Sequence, residues 1–526
     1  MARLQVRRTW PSLAACALTA VLLVKLAFAS GGYFPTGYLP VGALAFGGLA
    51  IVLVAHVPQW TFATHALFAV ASLAALTAWT GLSATWSSNS AGGIEDLQAD
   101  AVYVAIFALS LVAAGSGRHA RLIPWTVLGV VVVVCGAGLL SRLSPDLVHG
   151  AGNTPGPAGN RLAYPLTYWN AYGAMAAMGI VLAAGLAADA AAPVIARAVA
   201  GGTAVPLAVA LWFSLSRGSW LALIVGLVVL LAFAHHRGSM LVSLAIVGGA
   251  SVLAVVRLQS YKVLTDNPSA AGAQGAGHRY LTQLILITLA CAVAMGLIAG
   301  VRRSVGVMDA GRRMLRPVGL AVLGLVVLVS AVFYVADTQY VEGHAADRGT
   351  AISHWVSRQW QDFLTPTTFT SNGSTRLTTA KGGRSDLYRV AIDGFQAHPL
   401  RGDGASGFTA RWYRERRVLD DVVDAHSLEL QTLGELGLVG VVLLLGFLGA
   451  ILLAGARARR RAGALTRGQA TAVIAGFSVW LAHSAVDWDW QMPALTGTAL
   501  LLGAALFPEG LRRIRRAPAS SSAGSG

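Results

Sequence analysis

Four short segments of this 526-residue chain carry side chains able to neutralise a phosphate or move a proton. Arg217 lies in Ser214-Leu215-Ser216-Arg217-Gly218-Ser219, between two apolar blocks joined by almost no loop. A guanidinium at membrane depth is costly unless it meets an anion, and its fork of donors matches phosphate oxygens. The alternative is an arginine at a helix end that snorkels to the interface. Arg384 stands in Gly383-Arg384-Ser385-Asp386-Leu387-Tyr388-Arg389, and Arg401 in His398-Pro399-Leu400-Arg401-Gly402-Asp403-Gly404. These residues would equally suit the solvated face of a short helix. The fourth segment, Asp424-Ala425-His426-Ser427-Leu428-Glu429-Leu430-Gln431, leads into an apolar run. Asp424 there reads as a helix N-cap, with His426 in the first helical turn, where an imidazole changes protonation near neutral pH.

Two other clusters invite a metal and are read otherwise. Asp487-Trp488-Asp489 has the DxD form of metal-dependent sugar transferases, but it sits in a short turn between apolar blocks rather than on a soluble nucleotide-binding domain. His235-His236 falls beside Arg237 at the end of an apolar block and reads as an interfacial cluster. Cys16, Cys135 and Cys291 each stand alone inside an apolar block, which supports neither a disulfide framework nor a zinc site and makes them packing residues.

The elements that must position these residues are membrane helices. The chain is 55% hydrophobic and 12% charged, with a mean hydropathy of +0.63, whereas soluble domains are about 25% charged. Its apolar residues fall in blocks of about 15 to 22, the length that crosses a hydrocarbon core as one helix. The fold class is therefore an all-α polytopic transmembrane bundle of about 12 to 14 spans. Among the blocks are 101–115, 317–335, 437–456 and 471–486. The net charge of +16 does not mark a nucleic-acid binder, because the basic residues lie in short segments between spans, where they report topology. Placing the first basic segment in the cytoplasm makes every second loop cytoplasmic, and those loops hold Arg118, Arg121, Arg197, Arg237 and the Arg clusters of 302–316, 457–467 and 512–516. Glu95, Asp96, Asp266, Asp487 and Asp489 fall on the other side. Both termini are expected in the cytoplasm of a cell carrying this protein in its inner or plasma membrane. The first apolar run, ending Ala27-Phe28-Ala29, also fits a cleavable signal peptide, though it is long enough to span.

Eleven spans are expected over 1–335, an extracytoplasmic loop domain over 336–434, three further spans over 435–508 and a disordered basic tail over 509–526. The loop contains Trp355, Trp360 and Trp412 and a helix-like stretch from Arg384 to His398 stopped by Pro399, so a small ordered cap on the extracellular ends of the bundle is predicted.

Taken in order, five stretches resemble the O-antigen ligase and O-antigen polymerase superfamily. They are Arg161 to Ala171, Ser216-Arg217-Gly218, Arg384 to Gly404, Asp424-Ala425-His426-Ser427 with Glu435-Leu436-Gly437, and His483 to Trp490. The resemblance runs over residues 80–495. It implies a GT-C-like, metal-independent and inverting glycosyltransferase without cofactors, whose donor is a glycan on undecaprenyl pyrophosphate and whose acceptor is a lipid or glycan hydroxyl outside the cell. Carried over by motif, Arg217 and Arg384 would bind the donor pyrophosphate, Arg401 would join the same phosphate site, and His426 would be the general base. Ser427 stands where the family commonly has Asn, and about fourteen spans exceed the twelve typical of the ligases, which leaves ligase and polymerase both open. The rival class is a transporter or flippase of lipid-linked saccharides, which favours ionisable residues at mid-membrane and related halves. Lys25, His65 and His483 are the clear candidates for such positions, and no halves align.

Overall fold

A computed structural model describes residues 10–56, 60–115, 119–148, 159–305, 357, 360–361, 365, 383–460, 464–507 and 511–513. The eleventh expected span, 317–335, and the first part of the expected loop domain lie outside these residues, as do Trp355 and Arg118.

Fifteen helices of nine residues or more are described, in the order α1 Trp10–Phe28, α2 Pro35–His56, α3 Thr64–Ser83, α4 Ser90–Ala114, α5 Ile123–Leu143, α6 Trp169–Ala188, α7 Val194–Ser214, α8 Arg217–Phe233, α9 Arg237–Leu258, α10 Ala273–Val305, α11 Arg384–Ala397, α12 Gly407–Glu415, α13 Leu428–Arg460, α14 Arg467–Ser484 and α15 Pro493–Ala505. Ten of them are long and apolar enough to cross a membrane, and α8 and α15 are shorter apolar helices. The protein is an all-α polytopic membrane protein. The one strand pairing described is a short antiparallel ribbon of β1 Trp60–Phe62 with β2 Leu511–Arg513, which draws part of the basic tail, expected to be disordered, back onto the bundle.

Two helices begin well before the expected spans. α4 starts at Ser90 rather than 101, and α13 starts at Leu428 rather than 437. Hydropathy loses these first turns because they carry Glu95, Asp96 and Asp100, or Glu429 and Glu435. Asp100 and Glu435 are nonetheless buried, each held by protein donors, so a polar face toward the bundle extends the helix instead of ending it. The three ionisable candidates for mid-membrane positions all lie within a turn of a helix end: Lys25 near the end of α1, His65 at the start of α3 and His483 at the end of α14.

The core centres on α6, buried at every residue from Ala171 to Ala188 and packed against α7, α8 and α14. Its Ala and Gly residues allow that approach, as small residues do where no hydrophobic drive separates helix from lipid. Gly173 shows the limit: a Cβ there would stand 2.6 Å from Ser214 Oγ and 2.7 Å from Ser219 Oγ.

The two ends of the bundle can be told apart by their contacts. At one end Arg121 donates to the Ala464 carbonyl, Thr466 to Asp189, and Arg467 to His235. At the other, Trp79 donates to the Leu436 carbonyl, Ser87 to the Ala405 carbonyl, and Asn170 to Asp487. On this second end sits the cap. Its helix α11 buries Leu387, Val390, Ala391 and Gly394, the spacing of one helical face, against Phe408 and Trp412 of α12, Val418 and Ala425. Arg389 pairs with Asp386 and Asp393, and Arg411 with Asp403 and Glu415, so the polar faces are cross-linked too.

Backbone hydrogen bonds tie the cap to α13. Asp403 and Gly404 amides donate to the Gly434 and Glu435 carbonyls at 2.9 and 2.8 Å, and the Leu438 and Val439 amides to the Pro399 and Leu400 carbonyls at 2.9 and 3.3 Å. The exchange is possible because α13 is broken at Gly437, whose φ of +63° suits glycine and whose missing Cβ would strike the Leu400 carbonyl.

Candidate active site

Asp487 is the hub at the cap end. Its side chain is fully buried, in the turn between α14 and α15. Four donors reach it: Oδ1 accepts from the Tyr168 hydroxyl at 2.5 Å and the Trp488 amide at 3.0 Å, and Oδ2 accepts from Arg384 Nη2 and Asn170 Nδ2, both at 2.7 Å. Four donors fill a carboxylate's lone-pair positions. Burial alone would raise its pKa, but Arg384, His483 and His426 nearby hold the carboxyl below its ordinary value. Arg384 opens α11 and its side chain remains 28% exposed, so one edge of the guanidinium is buried on Asp487 while the group keeps access to the outside.

His426 lies within the electrostatic reach of both groups. Burial lowers its pKa, Asp487 opposes the shift and Arg384 adds to it, with a net fall below the ordinary histidine value. Its Nδ1 faces the Asp424 carbonyl at 3.1 Å. A carbonyl only accepts, so Nδ1 carries the proton and Nε2 of the neutral ring has the lone pair. The ring sits 6.2 Å from Trp488, which also meets Tyr168 at 4.3 Å and Tyr33 at 5.2 Å, and the Tyr388 hydroxyl donates to the His426 carbonyl at 3.5 Å.

The local backbone corrects one expectation. His426 precedes α13 by two residues, with a left-handed φ of +56°, and is not in its first turn. Ser427 performs the capping, accepting from the Leu430 amide at 3.3 Å, while Asp424 accepts from Gln431 Nε2 at 3.2 Å. A left-handed histidine is strained, and here hydrogen bonds on both sides hold it. Capping also accounts for serine at a position where asparagine would serve the same purpose. Burial pushes the Asp424 carboxyl up to about 6 against the Gln431 bond, with Asp487 adding to the rise.

Arg217 is the first residue of α8. The next residue, Gly218, is so close to His483 that a Cβ would stand 3.2 Å from its Nε2, and Ser219 Oγ lies 3.2 Å from the same atom. His483 Nδ1 meets Asp489 Oδ2 at 2.6 Å. Arg217 therefore begins a helix anchored to the Asp487 turn. Arg401 has a different setting. It lies beyond the other end of the 14-residue α11, exposed, with its guanidinium 5.7 Å from the Trp86 ring. A helix of that length spans about 20 Å, so Arg401 is not brought to the Arg384 site.

Asp487, Tyr168, Asn170, His483 and Asp489 were given no role in the site by the sequence alone. Asp487 and Asp489 have the DxD form, yet the two carboxylates serve different partners, Arg384 and His483. Among the described residues no group of three or more His, Cys, Asp or Glu side chains is arranged to hold a metal. A signal was available: span alternation brings the 485–492 turn to the same side as His426, and three ionisable residues within seven positions at a span exit are costly without a role.

Residues 280–445 match the model of the O-antigen ligase family. The match supports a relationship to the O-antigen ligase superfamily. The match contains Arg384, Arg401 and His426, and it ends inside α13, so Arg217 and Asp487 join the O-antigen ligase segment only through the fold. Match and multi-pass bundle together support a membrane function in glycan processing of the O-antigen ligase or polymerase type. No curated protein matches the chain.

Proposed function

We propose that this protein transfers a glycan from an undecaprenyl-pyrophosphate carrier to an acceptor hydroxyl at the extracytoplasmic face of the cell membrane. The observation that carries the reading is Arg384, part-exposed and fixed on buried Asp487, within the field of a neutral, tautomer-defined His426. His426 Nε2 takes the proton from the acceptor oxygen as that oxygen attacks the anomeric carbon. The carbon–oxygen bond to the pyrophosphate breaks, and the electron pair leaves on lipid pyrophosphate, where Arg384 and Arg217 neutralise the charge. Attack opposite the leaving group inverts the anomeric centre. Positioned donors of this kind act where charge develops, and a positioned base contributes about 10²- to 10⁴-fold.

The reading needs no metal for leaving-group charge, since guanidinium forks supply it and the Asp487 oxygens are already committed. Both termini are then cytoplasmic, because the basic loops of the opposite end keep to the cytosol. The test is reconstitution of the full chain with a labelled undecaprenyl-pyrophosphate glycan and a hydroxyl acceptor. Release of undecaprenyl pyrophosphate together with glycosylated acceptor is the expected result. Translocation of intact donor without release would overturn the transferase in favour of a flippase. Product length separates the two enzymes: a single addition marks a ligase, a ladder a polymerase.

A further inference from the structure

Behind the Arg384–Asp487 pair lies a second polar line that the transfer chemistry does not touch. Ser219, His483 and Asp489 are each fully buried. Ser219 Oγ stands 3.2 Å from His483 Nε2, and His483 Nδ1 stands 2.6 Å from Asp489 Oδ2. The order Ser, His, Asp is that of an activated nucleophile, but a nucleophile must reach its substrate. Here no face of Ser219 is accessible, so the arrangement serves another purpose.

That purpose follows from what the line connects. Ser219 lies two residues after Arg217 in the first turn of α8, and Asp489 two residues after Asp487, the seat of Arg384. Asn170 makes a second tie: its carbonyl accepts from Ser219 Oγ at 3.1 Å, and its Nδ2 donates to Asp487. Ser216 caps α8 through the Ser219 amide and shares a 2.8 Å hydroxyl contact with Ser219. Asp489 Oδ1 has no hydrogen-bond partner among the described residues, so His483 is the side chain that anchors this carboxylate. Two turns separated by more than 250 residues are thus locked at a fixed spacing, with one arginine on each side of the lock.

We infer that Ser219, His483 and Asp489 are positioning residues that set the distance between the Arg217 and Arg384 guanidinium groups, and so match the site to a ligand carrying two linked phosphates. The inference rests on the pyrophosphate reading given under Proposed function. A displacement of about 1 Å in such a clamp can cost about 10²-fold.

The test is a double-mutant cycle on the full chain in lipid nanodiscs, read as kcat/KM for the labelled undecaprenyl-pyrophosphate glycan. Asp489→Asn is expected to lower kcat/KM by about 10- to 100-fold, mainly through KM. In an Arg217→Ala background the same substitution should cost less than about 2-fold, because the element it positions is already gone. Ser219→Ala, a smaller change, should show a weaker loss with the same dependence on Arg217. Losses that multiply independently of Arg217, or no loss from either substitution, would overturn the inference. If Asp489→Asn does not give folded protein, the Ser219→Ala cycle decides alone. Absence of lipid pyrophosphate release from the wild-type protein would defeat the transferase reading itself. Release abolished by Arg384→Ala but untouched by Asp489→Asn and Ser219→Ala would defeat the positioning role and leave the transferase standing.

Discussion

The two ends of the bundle use the same residue types in opposite ways. At the basic end, Arg467 meets His235 at 2.8 Å, with His236 beside it, around a cavity of about 190 Å³ that also touches Asp189. All three of these basic side chains are exposed. At the cap end, Arg384 meets a fully buried carboxylate, and His426 and His483 share its field. Water screens the first cluster. It does not reach the buried Asp487 carboxylate of the second, which protein groups answer, so a change at one residue is felt by the others. The contrast teaches that in this chain burial, more than residue type, separates the two clusters.

The sharpest way to break that contrast is at the cap end. His426→Ala should lower transfer by about 10²- to 10⁴-fold with the protein still in the membrane, measured as released lipid pyrophosphate. Arg384→Ala should act on a similar scale, since one charge-stabilising donor is commonly worth about 10²- to 10³-fold. Next comes Asp487→Ala. Removing one partner of a buried pair costs about 3–5 kcal/mol, so this variant should melt lower in detergent than Arg401→Ala, whose guanidinium is exposed.

A smaller effect concerns pH. Burial depresses His426, so its neutral form survives below the ordinary histidine value of about 6.5, and kcat/KM should fall only as pH drops through that lowered value. Asp487 raises the His426 pKa, so the residual activity of Asp487→Asn should show its acid limb at a lower pH than wild type. A limb that moves upward would mean that another group titrates. The smallest effect belongs to the basic end. His235→Ala and Arg467→Ala should change transfer by less than about 2-fold, because exposed charges contribute little. A large loss there would erase the distinction between the ends.

The sequence made the helices and the cap legible because hydrophobic periodicity is local. The α11 boundaries and the position of His426 just before α13 follow from residues close together in the chain. The partner of Arg384 was illegible because Asp487 lies 103 positions away and carries the appearance of a metal motif. His483 looked like an isolated polar residue in a span, since its partners Ser219 and Asp489 come from two different turns. Arg401 shows the opposite case: it is near Arg384 in sequence, but the 14-residue α11 lies between the two.

The break at Gly437 bears on how the proposed lipid-borne donor would get in. Four amide-to-carbonyl bonds run between the segment 399–404 and α13 on either side of the break, much as neighbouring strands are joined. Raising the cap on a hinge would break all four of those bonds at once, each a net loss of about 0.5–1.5 kcal/mol. The roof is therefore joined to α13 along its edge. On the transfer reading proposed above, a polyprenyl chain would then arrive sideways, sliding between helices from within the leaflet while only its head passes beneath.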